Sequence, residues 1–303
     1  MLKDIPITSA IQQTIDQSRY NQKKLLLAMY ELNGAYDSMK KLIMSPISKT
    51  WGILQMSVIK NSSGFNKFYP KYILVATLPD GNGHEVQREI MWCKKRAYNR
   101  TSNFVVSMDV KNPKPKGSSY LGKLRAMNSK RNEYHLYDSG ENPAKLKPHQ
   151  EPRKAFFLAQ FTDETIKEIG NVKTTKLFIP RWKDDSAPYI GFDDPYELGF
   201  SKDVHTIINK PPKWNKKQKK YVYNFGGRVQ EASNKNTQLI VDTYSNKLVN
   251  QSDTEADGRD ALLKENIVFQ FGQYDKTIFN LDFQGPLSIF QAFWLSVAIH
   301  DSH

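Results

Sequence analysis

The chain has 303 residues, enough for one large β domain or two ordinary domains. Its formal net charge of +13 indicates an anionic partner, such as nucleic acid, a membrane surface or an acidic protein, or simply a soluble basic surface. The single cysteine, Cys93, excludes an intramolecular disulfide and a multi-cysteine zinc site, and we interpret it as an inert core residue. No apolar stretch reaches the ~20 residues that span a bilayer, and no signal peptide is visible, so we expect a cytoplasmic protein whose membrane contact is peripheral.

Residues 1–45 have a helical pattern. Ser9 and Gln12 form a capping-box pair, and Asn33 with Gly34 is a candidate break. Core-type positions then recur at alternating spacings of four and three residues, as in a coiled coil with two polar interruptions. The positions of this heptad seam are Ile11, Ile15, Ser18, Gln22, Leu25, Met29, Leu32, Tyr36, Met39 and Ile43. Two interpretations stay open: a helix packed on its own domain, or a seam that docks a partner helix or filament.

After residue 46 the pattern becomes that of strands. Many short runs rich in β-branched and aromatic residues are separated by Gly, Pro, Asn and Asp, which predicts a β-sandwich or a β-barrel. The predicted strands are 72–78, 103–108, 133–137, 156–161, 176–179, 221–225, 267–271 and 278–283. A polar, acidic insertion at 242–265 predicts a mobile loop.

The last segment, 286–300, predicts a helix with Pro286 at its first position. It is apolar nearly all round, so it must be buried on all sides. A closed barrel offers such surroundings, and a helix of ~15 residues spans ~22 Å, about the height of a barrel. The alternative is a helix packed between two sheets.

Three blocks of sequence resemble the Tubby C-terminal domain family. The first block is Thr-Ser-Asn at 101–103 with Ser-Tyr-Leu-Gly-Lys-Leu-Arg at 119–125. The second block is 212–214 with 221–236, and the third is 270–272 with Phe279 and 286–293. A supporting match is Tyr-Asp-Ser-Gly-Glu-Asn-Pro at 137–143. The blocks occur in family order over residues 50–303. The resemblance implies a mainly β fold: a closed twelve-stranded β-barrel around a buried C-terminal hydrophobic helix, preceded here by the helical segment 1–45.

The resemblance also implies a binding site for phosphatidylinositol 4,5-bisphosphate. The family's binding motif falls on Lys123, Arg125 and Asn103, and Arg153 resembles a further basic position. Lys123 and Arg125 are two residues apart, so on a strand they share a face. The planar fork of Arg125 suits a phosphate with two bonds, the ammonium of Lys123 acts as a point charge, and Asn103 adds amide donors.

Further positive charge lies close in sequence and forms a candidate supporting patch. At an anionic membrane each such residue adds ~1 kcal/mol of attraction, whereas on an ordinary surface it is merely solvated. The members of this patch are Lys94, Lys95, Arg96, Arg100, Lys114 and Lys116.

The expected function is a phosphoinositide-binding membrane-tethering adaptor, located at the plasma or ciliary membrane, which by resemblance delivers membrane cargo to cilia. One alternative is a scaffold protein docked on a filament or ciliary assembly through the N-terminal helix. Another is a DNA-binding regulator, although no nucleic-acid-binding motif is visible. The six histidines have no metal-ligand spacing and no nucleophile elbow or P-loop occurs, so we expect neither an enzyme nor a cofactor.

Overall fold

The computed structural model describes residues 9–32, 34–80, 82–109, 117–166, 170–181, 191–216, 219–242 and 267–302. Twelve antiparallel strands close into one barrel in the order β1-β14-β13-β12-β9-β8-β7-β6-β5-β4-β3-β2, and β10 pairs with β11 in a separate hairpin. The strands are β1 Leu54–Asn61, β2 Lys71–Pro79, β3 Glu85–Lys95, β4 Asn103–Ser107, β5 Tyr120–Ala126, β6 Glu133–Tyr137, β7 Ala155–Ile166, β8 Gly170–Pro180, β9 Val204–Asn209, β10 Lys213–Asn215, β11 Lys220–Val222, β12 Thr237–Val241, β13 Ile267–Gln273 and β14 Ile278–Phe283. The predicted closed twelve-stranded barrel is therefore confirmed.

Three helices accompany the barrel in the described residues: α1 Ser9–Glu31, α2 Tyr36–Met44 and α3 Ile289–Ser302. Every residue of α3 is buried, as its continuous apolar surface requires. The helix begins three residues later than the sequence predicts because Ser288 and Gln291 form a capping box. The amide of Gln291 donates to Ser288 Oγ (3.1 Å), and the amide of Ser288 donates to Gln291 Oε1 (3.0 Å). Pro286 therefore precedes the helix.

Charged side chains meet the C-terminal end of α3. The carboxylate of Asp301 lies 2.9 Å from Lys95 Nζ and 3.6 Å from Arg131, and it accepts a hydrogen bond from the hydroxyl of Tyr134 (2.7 Å). Lys173 Nζ donates to the carbonyl oxygen of Ser302 (2.6 Å). Cations at this end stabilise the carbonyls that have no partner within the helix. The end of α3 is thereby joined to three strands of the barrel wall.

The N-terminal helices pack on the barrel. Leu25, Met29, Met39 and Ile43 of the heptad seam are buried in the same apolar core as the barrel interior. The chain turns between α1 and α2 at Gly34, whose φ of +90° favours glycine. At these four positions the structure therefore favours the first interpretation, a helix packed on its own domain.

Several predictions fall outside the described residues. The side chains of 9–16, 18 and 19, which include the first seam positions, are not among those described, and neither are residues 243–266 of the acidic insertion. The division of the chain near residue 45 stays a prediction. Within the described ranges, no helix has both the length and the apolar character needed to cross a membrane.

Candidate functional site

The three motif residues meet on the outer wall of the barrel, where β4 and β5 are neighbours. In the antiparallel register Asn103 lies opposite Arg125, and Val105 lies opposite Lys123. Leu124, between the two cations, is completely buried in the core. Because side chains alternate across a strand, Lys123 and Arg125 both lie on the outward face. The structure thus brings together the three residues that the motif singles out.

Gly122 allows the next strand to approach this point closely. On the other side of β5, Lys123 lies opposite Tyr137 of β6. A Cβ on Gly122 would lie 2.1 Å from the backbone oxygen of Tyr137 and 3.1 Å from the backbone of Asp138. Only glycine fits such an approach, so the residue before Lys123 sets the distance between β5 and β6.

Arg153 reaches the same surface from the connection between β6 and β7. Its amide donates to the carbonyl oxygen of Glu141 (2.8 Å), and Gly140 lets the backbone of this segment pass close, since a Cβ there would be 2.5 Å from Arg153 Cα. The guanidinium carbon of Arg153 is 4.2 Å from the ring centroid of Tyr137, and Lys123 Nζ is 5.9 Å from the same ring. Both contacts are within cation–π range, so Tyr137 holds two cations side by side.

The cluster carries positive charge that is incompletely balanced. Burial, which is the largest cause, and the positive charges of Arg153, Arg125 and Arg96 together lower the pKa of Lys123 to about 8, against the opposing effect of Glu141. Positive charges held together in this way favour the binding of an anion, which would relieve their mutual repulsion. A lysine pKa this close to neutrality marks a candidate functional site.

Two buried polar atoms in the cluster have no hydrogen-bond partner within the described part of the chain: Arg125 Nε and Asn103 Oδ1. The amide nitrogen of Asn103 donates to Asn99 Oδ1 at 3.3 Å, a long hydrogen bond. Buried polar groups almost always have partners, so the unpaired donor Arg125 Nε beside a cationic cluster favours a ligand that carries an acceptor, such as a phosphate oxygen. Asn103 Oδ1 is an acceptor and would pair with a hydroxyl group instead.

The structure brings some residues of the supporting patch to the site and turns others away from it. Lys94 lies opposite Val105 on the outward face, and the charge of Arg96 acts on Lys123. Arg100 is exposed in the loop between β3 and β4. Lys95 follows Lys94 on β3, so its side chain lies on the opposite face of the strand, where it pairs with Asp301 at the end of α3. The structure therefore does not bring Lys95 to the site. Lys114 and Lys116 lie outside the described residues.

Two residues of the site were not predicted from the sequence, namely Tyr137 and Glu141. Both belong to the supporting match at 137–143, which had no role assigned to it. Their proximity to Lys123 depends on the register of β6 and on the segment that carries Arg153. Only the family resemblance of that block could have indicated them.

A separate concavity of about 640 Å³ is lined by residues of β7, β8, β9 and β12 and by Ile299 of α3. Its polar lining is largely engaged: Asn209 Nδ2 donates to Thr237 Oγ1 (3.1 Å), and Lys173 donates to Ser302. Nor do three His, Cys, Asp or Glu side chains meet at a potential metal site anywhere in the described ranges. The cationic cluster on the outer wall is therefore the stronger candidate.

Comparison with known proteins agrees with this fold. The sequence profile of the Tub family matches residues 43–302. Tubby protein homolog 1 of Caenorhabditis elegans is 28% identical over 259 residues, which are 81% of this chain and 56% of that protein. Protein king tubby 2 of Aedes aegypti is 31% identical over 215 residues, 69% of this chain and 47% of that protein. The chain spans about half the length of these curated relatives. With the profile covering nearly the whole barrel and its central helix, this chain belongs to the Tub family.

Proposed function

We propose that the protein is a peripheral membrane tether that binds phosphatidylinositol 4,5-bisphosphate through Lys123, Arg125, Asn103 and Arg153. The observation that carries the proposal is the convergence of three cations on one outward face, beside the buried donor Arg125 Nε, which has no partner in the described part of the chain. The proposal includes no catalytic step and no cofactor.

The chemistry of the three cations suits a head group with two adjacent phosphates. The fork of Arg125 binds one phosphate with two bonds, while Lys123 and Arg153 supply charge for the second. Enzymatic removal of the bisphosphate lipid, as by phospholipase C, would release the protein. Location at the plasma or ciliary membrane and delivery of membrane cargo to cilia belong to this proposal. The use of the N-terminal seam by a partner stays a prediction. Six seam positions pack on the barrel core, namely Leu25, Met29, Leu32, Tyr36, Met39 and Ile43, so a partner helix would meet the seam N-terminal to them.

Replacing both Lys123 and Arg125 by alanine is expected to weaken binding to vesicles that contain phosphatidylinositol 4,5-bisphosphate by about 100-fold or more. Hydrogen bonds to charged groups contribute ~1.5–3 kcal/mol each, and each of the two removed side chains makes at least one of them. Co-sedimentation should be measured with bisphosphate vesicles and with phosphatidylserine vesicles of matched surface charge.

The matched control is Lys145→Ala/Lys147→Ala, which removes the same charge from exposed positions in the connection between β6 and β7. This variant should bind as the wild type does. Equal weakening by both double substitutions, or equal binding of the wild type to both kinds of vesicle, would show that general charge governs binding and would contradict the proposed site.

Binding is also expected to depend on pH through Lys123. A bound phosphate favours the charged ammonium and raises its pKa, so affinity is complete below the ligand-free pKa of about 8 and is lost as pH rises above it. Burial raises the pKa of Tyr120 to about 12 and also raises the pKa of Tyr137, so these phenols stay neutral in this range. Affinity should fall by about tenfold from about pH 7 to about pH 9.5.

Lys123→Arg supplies the control for this pH dependence, because a guanidinium keeps its charge throughout the range. Titrations of both proteins with bisphosphate vesicles should show an alkaline decline for the wild type and a flat profile for Lys123→Arg. The same decline in both proteins would exclude Lys123 as the titrating group.

A further inference from the structure

Three neighbouring loops lie on one side of one end of the barrel, and we call this side the basic end. They connect β1 to β2 (62–70), β3 to β4 (96–102) and β5 to β6 (127–132). The turns after β7 and β13, on the other side, contain or adjoin Asp163, Glu164 and Asp275 and are not part of it. The amide of Lys95 donates to the carbonyl oxygen of Pro70 (3.3 Å), and the amide of Ala126 donates to that of Ser102 (2.8 Å), so neighbouring loops are joined at their bases. The three loops contain no Asp or Glu, and their cations are Lys67, Arg96, Arg100, Lys130 and Arg131.

Two aromatic side chains project from the basic end without packing on the barrel. Phe68 is 74% exposed, and Tyr98 is fully exposed. Tyr98 also has a φ of +59°, a conformation that non-glycine residues rarely adopt. Large exposed aromatic residues in loops rich in cations are not explained by the stability of the fold. They indicate a surface that becomes covered when the protein meets a partner.

The opposite end of the barrel provides a contrast within the same chain. Phe200, in the connection between β8 and β9, is also 90% exposed. Its neighbours in that connection include the exposed carboxylates of Asp193, Asp194, Glu197 and Asp203. An anionic surface would be repelled there. Charge therefore distinguishes the surroundings of the exposed rings, since the loops that carry Phe68 and Tyr98 have no carboxylate, whereas the connection that carries Phe200 has four exposed ones among its described residues.

We propose that Phe68 and Tyr98 insert into the interfacial layer of an anionic bilayer, so that the barrel stands with its basic end on the membrane. This orientation rests on the proposed phosphoinositide function, which it deepens by naming the surface that meets the bilayer. Aromatic rings are favoured at the interface between lipid and water, and the surrounding cations are attracted to anionic head groups.

The position of the loops relative to the lipid site supports this orientation. Asn103 is the first residue of β4, so the loop that carries Tyr98 ends at the candidate site. Asn103 and Asn99 of that loop are joined by a hydrogen bond of 3.3 Å. A lipid head group held by Lys123 and Arg125 is thus separated from Tyr98 only by the length of one short loop. The bilayer that contains this lipid then lies beside the two aromatic rings.

Replacing both rings, in Phe68→Ala/Tyr98→Ala, separates this proposal from the head-group site. Binding to bisphosphate vesicles should weaken by about tenfold, because the apolar surface that leaves water is lost. Binding of soluble inositol 1,4,5-trisphosphate, measured by calorimetry, should stay unchanged, since no group that contacts the phosphates is altered. Phe200→Ala, which removes a similarly exposed ring from the acidic connection between β8 and β9, should leave both measurements unchanged.

The outcomes distinguish the two proposals. Vesicle binding equal to that of the wild type would overturn the insertion of Phe68 and Tyr98 while leaving the head-group site intact. A parallel loss of trisphosphate binding would overturn it too, because the loops would then act only by shaping the site. If the wild type binds no trisphosphate, the proposed function fails, and phosphatidylserine vesicles then test the aromatic rings alone.

A direct measurement uses the single cysteine of the chain. Cys93 is fully buried, so Tyr98→Cys provides one accessible thiol for an environment-sensitive fluorophore. On binding to vesicles, its emission should shift to the blue and increase, whereas a label at Phe200→Cys should not respond. An unchanged emission at position 98 in vesicle-bound protein would overturn the proposal, as would an equal response at both positions.

Discussion

Trp294→Ala is expected to reduce the free energy of unfolding by about 3–5 kcal/mol, the usual result of removing a buried tryptophan. The side chain lies in the middle of α3 and is completely buried. Its ring meets Phe290 edge-on with 6.3 Å between centroids and lies 6.1 Å from Phe293. A cavity in this place cannot be filled by movement of the strands, because the barrel wall is closed by hydrogen bonds on every side. Urea denaturation followed by circular dichroism measures the change.

Trp294→Phe is the matched control because it keeps most of the apolar volume and removes only the indole N–H and part of the ring. Trp294 Nε1 is buried without an acceptor in the described part of the chain, so its removal leaves no hydrogen bond broken. We expect a loss of about 1.5 kcal/mol or less. Equal losses for the two variants, or a loss below about 1 kcal/mol for alanine, would contradict a core centred on this ring.

The central helix shows how far the sequence could predict the fold. An apolar surface all round a helix can be buried only if it is enclosed, and that requirement favoured a barrel over a helix packed between two sheets. The closed twelve-stranded form was implied by the resemblance to the Tubby family. The preference of proline for the first helical position predicts a start at Pro286. The capping-box pattern of Ser288 and Gln291, also present in the sequence, marks the observed start instead.

Other elements were hidden from the pattern. The first half of β3 is largely exposed and polar, so residues 85–95 lack the alternation that marks a half-buried strand. The heptad seam predicted an apolar helical face but could not tell which surface covers it, since that depends on tertiary packing. Leu25 and Met29 show that at these positions the barrel itself covers the seam.

In the candidate site, too, some residues could be predicted from the sequence and others could not. Lys123, Arg125 and Asn103 came from the motif, and their common face follows from strand alternation and register. The same alternation would have separated Lys95 from Lys94, had the strand β3 been recognised. Tyr137 approaches the cluster through the pairing of β5 with β6, which no local pattern specifies. Contacts across a sheet were therefore the part that the sequence alone could not supply.

Gly122→Ala is expected to destabilise the protein by about 3 kcal/mol or more and to weaken binding to bisphosphate vesicles, because the substitution forces apart the two strands that form the site. The added methyl would lie 2.1 Å from the backbone oxygen of Tyr137. A methyl group on Cα has no rotamer that avoids this contact, so β6 must move away from β5. That movement separates Lys123 from the ring of Tyr137 and thereby disturbs the neighbouring Arg153.

Gly199→Ala tests whether the effect comes from the close approach or from the loss of any glycine. A Cβ at Gly199 would meet only Leu158 Cδ2, at the ordinary contact distance of 3.9 Å. This variant should stay within about 0.5 kcal/mol of the wild type and bind vesicles equally well. Denaturation and vesicle binding of both variants decide the matter. If Gly122→Ala were as stable as Gly199→Ala and bound normally, the close crossing of β6 over Gly122 would not govern the site. A loss of binding that exceeds the unfolded fraction instead assigns Gly122 the role of setting the distance between the strands that carry Lys123 and Tyr137.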